Sequence, residues 1–271
     1  MIASQKGKYA LLALDKPVFL AEQIGLNYGL AEVQQYVDAL VSIALEIYSP
    51  HVTGVSYSPE TQLPMVGKKT GQAGAIFPVE RTITEVDPYS VPVITTRWGV
   101  EAIRNNYGVA KLALAVTPDE KELPAKLQLL SEVYDSCRYE GIDSILELRL
   151  IEESLKGSKS TKTDHYQAVL RLFRRYCNLL AIEFPGTVVE AVSLSTVMET
   201  PWVVLDTQDD YAQTKEQLRD ALAADAAGMI ISRSVWPVGR EFGQDGEKAK
   251  QFFQTEGLDR LKELTRIVDE S

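Results

Sequence analysis

VAKLALAV, residues 109–116, is an apolar run interrupted by one charge, Lys111. It is followed by KLQLLSEVYDSCRYEG (126–141), whose apolar residues recur at three- and four-residue intervals and which ends on a glycine. That spacing and that stop describe a helix. DSILELRL (143–150) is then a second short apolar run. Strand, helix and strand in this order make a crossover unit, and a crossover leaves its two strands parallel.

The same unit recurs in both directions along the chain. YALLALD (9–15), HVTGVSYS (51–58), LLAIEFP (179–185), WVVLD (202–206) and MIISRSVW (229–236) read as strands. AGAIFPVE (73–80) and VPVITT (91–96) are strand-like pieces around a third position. Helical patterns stand at 33–48, 98–108, 165–177 and 210–228, with a last helix at 257–270. Thr163-Asp164 is the capping signal before the helix at 165–177. About eight strand–helix units result, with one poorly defined near residues 60–100. In a chain of 271 residues this predicts a single (β/α)8 TIM barrel, one domain over 1–271. An open dinucleotide-binding sheet would show Gly-x-Gly-x-x-Gly after its first strand, where this chain has LDKPVF. The polar loop SLKGSKSTKT (154–163) follows the fifth strand and is expected to be mobile at the barrel mouth.

Composition narrows the function. A net charge of −10 without a basic stripe argues against nucleic acid and against an anionic membrane surface. No apolar run reaches the ~18 residues of a membrane span, and the N-terminus reads as a strand. The cytoplasm is the expected compartment. Cys137 and Cys177 fall in separate predicted helices without metal-ligand spacing, and His51 and His165 are isolated. Neither a metal nor another cofactor is expected.

Alternate residues of barrel strands point inward, and chemistry gathers at the strands' C-terminal ends. On that phase Asp15, Lys111, Glu147 and Glu183 converge, three carboxylates around one lysine. Such a set is either a structural ion network or acid–base machinery. Arg233 ends the eighth strand and suits a phosphate, sulfonate or carboxylate.

LALDK (12–16), SPHVTGVSYSPETQLP (49–64), VAKLALAV, ILELRL (145–150), AIEFPG (181–186), PWVVLDT (201–207) and ISRSVW (231–236) stand in the order of a known family. In these pieces the chain resembles the class I tagatose 1,6-bisphosphate aldolases, with their relatives that cleave sulfo-sugar phosphates. The resemblance implies a TIM barrel of carbohydrate metabolism whose lysine forms a Schiff base before carbon–carbon cleavage. It also implies that the nucleophile belongs to a Lys-x-Glu-x-Pro frame on the sixth strand. Here that frame reads Ala181-Ile182-Glu183-Phe184-Pro185, and alanine cannot form an imine. Lys111 matches the family's second, non-covalent lysine. To serve as nucleophile it would need its pKa lowered by roughly three units, about 4 kcal/mol, against the pull of nearby carboxylates. Leu205-Asp206-Thr207 replaces a Ser-Ala-Gly phosphate turn, Ser232-Arg233 replaces Gly-Arg, and Asp15-Lys16 replaces Asp-Gln.

Lys16, Asp206, Ser232 and Arg233 are therefore the expected ligand contacts, and Asp15, Lys111, Glu147 and Glu183 the candidate catalytic residues. Three readings stay open. One is an aldolase-like barrel without imine chemistry, a pseudoenzyme or non-standard homologue that binds a small polar or anionic ligand or a partner. A second is a lyase or isomerase acting by acid–base chemistry on a carbonyl compound. The third is an active aldolase using Lys111 or Lys16. A homo-oligomer is compatible with all three.

Overall fold

A computed structural model describes residues 2–84, 87–151, 161–208 and 210–271. Eight parallel strands close into one barrel in chain order. They are β1 (Tyr9–Ala13), β2 (Gly54–Ser56), β3 (Gly74–Pro78), β4 (Gly108–Val116), β5 (Ser144–Leu150), β6 (Leu179–Ile182), β7 (Trp202–Leu205) and β8 (Gly228–Ile231). The helices α1 (Pro17–Gln23) and α2 (Ala31–Tyr48) follow β1. Then come α3 (Val100–Asn105) after β3, α4 (Leu123–Glu140) after β4, α5 (Lys162–Phe173) after β5, α6 (Val188–Ser195) after β6 and α7 (Tyr211–Ala223) after β7. Behind β8 lie α8 (Arg240–Gln244), α9 (Gly246–Gln254) and α10 (Glu256–Asp269).

Alternation along the strands sorts the side chains. Leu11, Ile76, Val109, Ile145, Leu179, Ala181, Val203, Leu205 and Ile230 fill the barrel interior. Their neighbours Leu12, Val55, Phe77, Leu112, Leu146, Leu180, Val204 and Ile231 pack outward against the helices. The strands are buried on both faces, which is why they read as nearly unbroken apolar runs.

Several elements depart from the sequence reading. The connection from β2 to β3 carries only a 3-10 turn, Leu63–Lys68, which explains the poorly defined third unit. VPVITT is not a barrel strand. It folds back over the end of β3 as a single antiparallel bridge between Glu80 and Ile94. Pro92 removes a ladder donor from it, and Val93 is left exposed. The helix α5 is capped one turn earlier than expected: Thr161 accepts from the Asp164 amide, and Asp164 reaches back to Thr161. Cys177 lies beyond the end of that helix, buried in the connection to β6. Of the polar loop 154–163, residues 154–160 lie outside the described residues. No described helix is long and apolar enough to cross a membrane.

Closure of the barrel depends on Gly228. It pairs with Tyr9 where β8 meets β1, at φ +152°, and a Cβ there would lie 1.8 Å from the Tyr9 carbonyl oxygen. No side chain fits without parting the two strands. Gly228→Ala is expected to destabilise the fold by about 3 kcal/mol or more, from the strained backbone and the clash together. A denaturant titration of the variant beside the parent chain measures it.

Candidate functional site

The strand phase carries a set of polar side chains to the C-terminal mouth of the barrel. Lys111 projects from β4, and Glu147 and Arg149 project from β5, two residues apart on one face. Asp15, Glu80, Glu183, Asp206 and Ser232 stand one or two residues beyond the ends of β1, β3, β6, β7 and β8.

Lys111 is 1% exposed and is clamped between Asp15 Oδ2 and Glu147 Oε2, the latter at 3.3 Å. Glu147 is the shared acceptor. Its Oε1 also takes Lys16 Nζ at 2.6 Å and Arg149 Nε at 3.0 Å. Glu183 lines the same mouth cavity as Asp15 and Glu147 but has a different cation for its partner. Lys162, in the first turn of α5, holds it at 3.0 Å, and Arg149 stands 4.0 Å away. Glu183 lies just beyond the end of β6, within reach of Lys162 at the start of α5.

The environments pull the carboxyl groups apart. Burial would raise Glu147, but Lys16, Lys111 and Arg149 outweigh it and hold the group well below its ordinary value. Burial would likewise lower Lys111, yet Asp15, Glu147 and Glu80 raise it, so the ammonium stays charged. Glu80 behaves in the opposite way. It is 6% exposed, and burial lifts its carboxyl from 4.5 to about 7 against the pull of Lys111 and Lys16. Its Oε1 accepts the Ala113 amide at 3.2 Å, while Oε2 has no hydrogen-bond partner among the described residues.

Asp206 is turned into the protein. Its Oδ2 accepts the amides of Ser232 (3.0 Å) and Ser234 (2.8 Å) and the Ser234 hydroxyl (2.7 Å). In many barrels the backbone after the seventh and eighth strands binds phosphate; here a carboxylate of the chain itself takes those donors. Ser232 contributes its amide to that arrangement. Arg233 donates to the Thr207 carbonyl at 3.1 Å and covers the Phe19 ring at 5.0 Å. A cavity of about 380 Å³ lies over these groups, with Lys16, Arg149, Lys162, Glu183 and Arg233 on its walls.

No family model matches the chain. Tagatose 1,6-diphosphate aldolase 1 of Streptococcus pyogenes is 23% identical over 306 residues, covering 99% of this chain and 93% of the relative. Tagatose 1,6-diphosphate aldolase 2 of the same species is 20% identical over 303 residues with the same coverage. Over 99% of its length the chain is similar to these tagatose 1,6-diphosphate aldolases. Its fold is also that of Cgl0159 from Corynebacterium glutamicum, at TM-score 0.72 and 15% identity, covering 100% of this chain and 88% of the other. An archaeal fructose 1,6-bisphosphate aldolase superposes at TM-score 0.67 and 14% identity, covering 100% and 97%.

Ala181 is fully buried, facing the barrel interior beside Glu147 on β5 and Val203 on β7. Three mouth residues were missed in the sequence reading. Arg149 was within reach, since it shares the inward phase of Glu147 in LELRL. Glu80 ends the third strand-like run and was hidden by the ambiguity of that unit. Lys162 belongs to a helix start, and no strand periodicity points to it.

Glu80 makes stability depend on pH in a direction opposite to most carboxylates. Its unfolded form loses a proton near 4.5 and its folded form near 7. Between those values the folded chain binds more protons, so stability falls as pH rises. The loss reaches about 3 kcal/mol above pH 7. Glu80→Gln should remove this decline and make the protein more stable than the parent at pH 8, read from denaturant midpoints at pH 5 and pH 8. Glu147 contributes its own dependence only below its ordinary value of 4.5, outside that window.

Proposed function

We propose that the barrel mouth binds a small 2-oxo or 2-hydroxy acid and does not form a Schiff base. The observation that carries this reading is the state of Lys111, buried and held as an ammonium by Asp15 and Glu147. An imine needs a neutral amine. The other mouth lysines are no better placed, since Lys16 is bound to Glu147 and Lys162 to Glu183. The resemblance puts the family's nucleophile at the position of Ala181, which offers no group of its own.

Binding of an acid follows from the walls of the cavity. Arg149 and Lys162 are partly exposed there, with side chains 40% and 29% accessible, and Arg233 lines the same cavity. Arginine offers a carboxylate two parallel donors. The turn after β8 is a poor seat for a second anion, because Asp206 already accepts from its amides.

A second reading is favoured by one observation. Glu80 and Glu147 lie on either side of Lys111 in environments that drive their proton affinities apart, a common arrangement for an acid and a base. In that reading a mouth carboxylate removes a proton next to a carbonyl, and Lys111 stabilises the enolate through its charge.

Borohydride added to the protein with dihydroxyacetone phosphate should leave the intact mass unchanged. A reduced adduct on Lys111 or Lys16 would instead identify an imine-forming aldolase. Calorimetric titration with pyruvate should give binding that Arg149→Ala weakens about tenfold, the scale of one charge-assisted hydrogen-bonding group. Exchange of the pyruvate methyl protons into deuterated solvent, followed by NMR, would select the acid–base reading; absence of exchange selects binding alone.

A further inference from the structure

Arg233 has a fixed backbone and a long side chain, and different contacts hold the two. It opens the 3-10 turn Arg233–Val235. Asp206 accepts the amides of Ser232 and Ser234 on either side of it, and Arg260 donates to the Ser234 carbonyl at 3.1 Å. A rigid backbone does not by itself order a guanidinium at the end of a flexible stem. Arg233 Nη1 donates to the Thr207 carbonyl at 3.1 Å, and the guanidinium carbon lies 5.0 Å from the centre of the Phe19 ring. A cation over an aromatic face is attracted by the ring's quadrupole.

Phe19 is set in place by the same stretch of chain that carries Arg233. It belongs to α1, a helix of seven residues with proline at its start. A helix so short gains little from its own hydrogen bonds and depends on tertiary contacts. The buried Trp236 indole donates to the Leu20 carbonyl at 3.1 Å, and the Gly239 amide donates to the Gln23 carbonyl at 2.9 Å. Leu20 and Ala21 are buried beneath. The segment leaving β8 therefore registers α1, and α1 returns a ring to the guanidinium of that segment. Phe19 is only partly buried, and it lines the mouth cavity together with Arg233.

We propose that Phe19 is a positioning residue of the acid site: its ring holds the Arg233 guanidinium at the cavity wall before a carboxylate arrives. This rests on the reading of the mouth as an acid site and adds to it a residue that acts on the ligand through Arg233. A side chain ordered in advance has less freedom to lose on binding, so the ring raises affinity without adding a hydrogen bond. The effect needs an aromatic face, and an aliphatic side chain of similar bulk does not supply it.

Calorimetric titration of the full chain with pyruvate tests the proposal. Phe19→Leu should weaken binding about fivefold, the scale of one cation–ring contact, while Phe19→Tyr, which keeps the ring, should stay within about twofold of the parent. In the Arg233→Met background, where binding is already weaker, Phe19→Leu should cost nothing further, because the two residues act as one unit. A packing role alone would instead weaken binding equally in both backgrounds, and that result overturns the proposal. So does a loss in Phe19→Tyr as large as that in Phe19→Leu, or no loss in Phe19→Leu. If pyruvate does not bind the parent chain, the acid reading fails and this proposal falls with it. NMR of the parent chain without ligand decides the contact itself even if a variant fails to fold. The Arg233 side-chain protons, assigned through bonds from its backbone amide, should be displaced upfield by the ring current of Phe19. Arg233 protons at their ordinary position overturn the proposal while leaving the acid reading intact.

Discussion

Lys111 carries its charge inside the barrel, and the arrangement of the mouth follows from that. Removing an ammonium from water costs several kcal/mol, which only close and well-placed opposite charge offsets. Asp15 and Glu147 provide it. Glu147 in turn is too deeply buried to stand with one cation, and it gathers Lys16 and Arg149 as well. Arg149 approaches Glu183, which draws in Lys162 from α5. The network thus runs from β1 across β4, β5 and β6, and removing one member would leave its partner buried and uncompensated.

That same network limits the chemistry. A lysine stabilised as an ammonium is a strong electrostatic centre and a weak nucleophile. In the function proposed above, the mouth holds anions and steadies negative charge on an oxygen and does not attack a carbonyl through nitrogen. Glu147 and Glu80 show how far environment alone can separate two identical groups. Three cations hold one ionised, and burial without an adjacent hydrogen-bond donor for its second oxygen keeps the other near neutrality.

Asp206 illustrates a related point on the opposite side of the mouth. Its burial raises its proton affinity, while the Ser234 amide and hydroxyl and the Ser232 amide draw it down. Those donors give the turn after β8 the shape of an anion seat, and the chain fills that seat with its own carboxylate. The barrel thus shares its fold with the aldolases it resembles, and in the function proposed above anions go to Arg149, Lys162 and Arg233.

The barrel and the inward placement of Asp15, Lys111 and Glu147 were legible in the sequence, because strand alternation is a local property with period two. Runs such as VAKLALAV and ILELRL reveal both the strand and the face on which a charge must lie. The pairing of those charges was not legible. Phase says that Glu183 faces the mouth, but only the fold brings Lys162 of α5 to it and leaves Lys111 with Asp15 and Glu147. VPVITT, with Pro92 inside it, makes a fold-back bridge rather than a strand, and its bridge partner Glu80 is a mouth residue. Asp206 kept its charge in the sequence reading, and the backbone amides that receive it became visible only in three dimensions. Periodicity is set by neighbours along the chain, so the sequence determined it; partners are set by distances between residues far apart in that chain, so only the tertiary structure decided them.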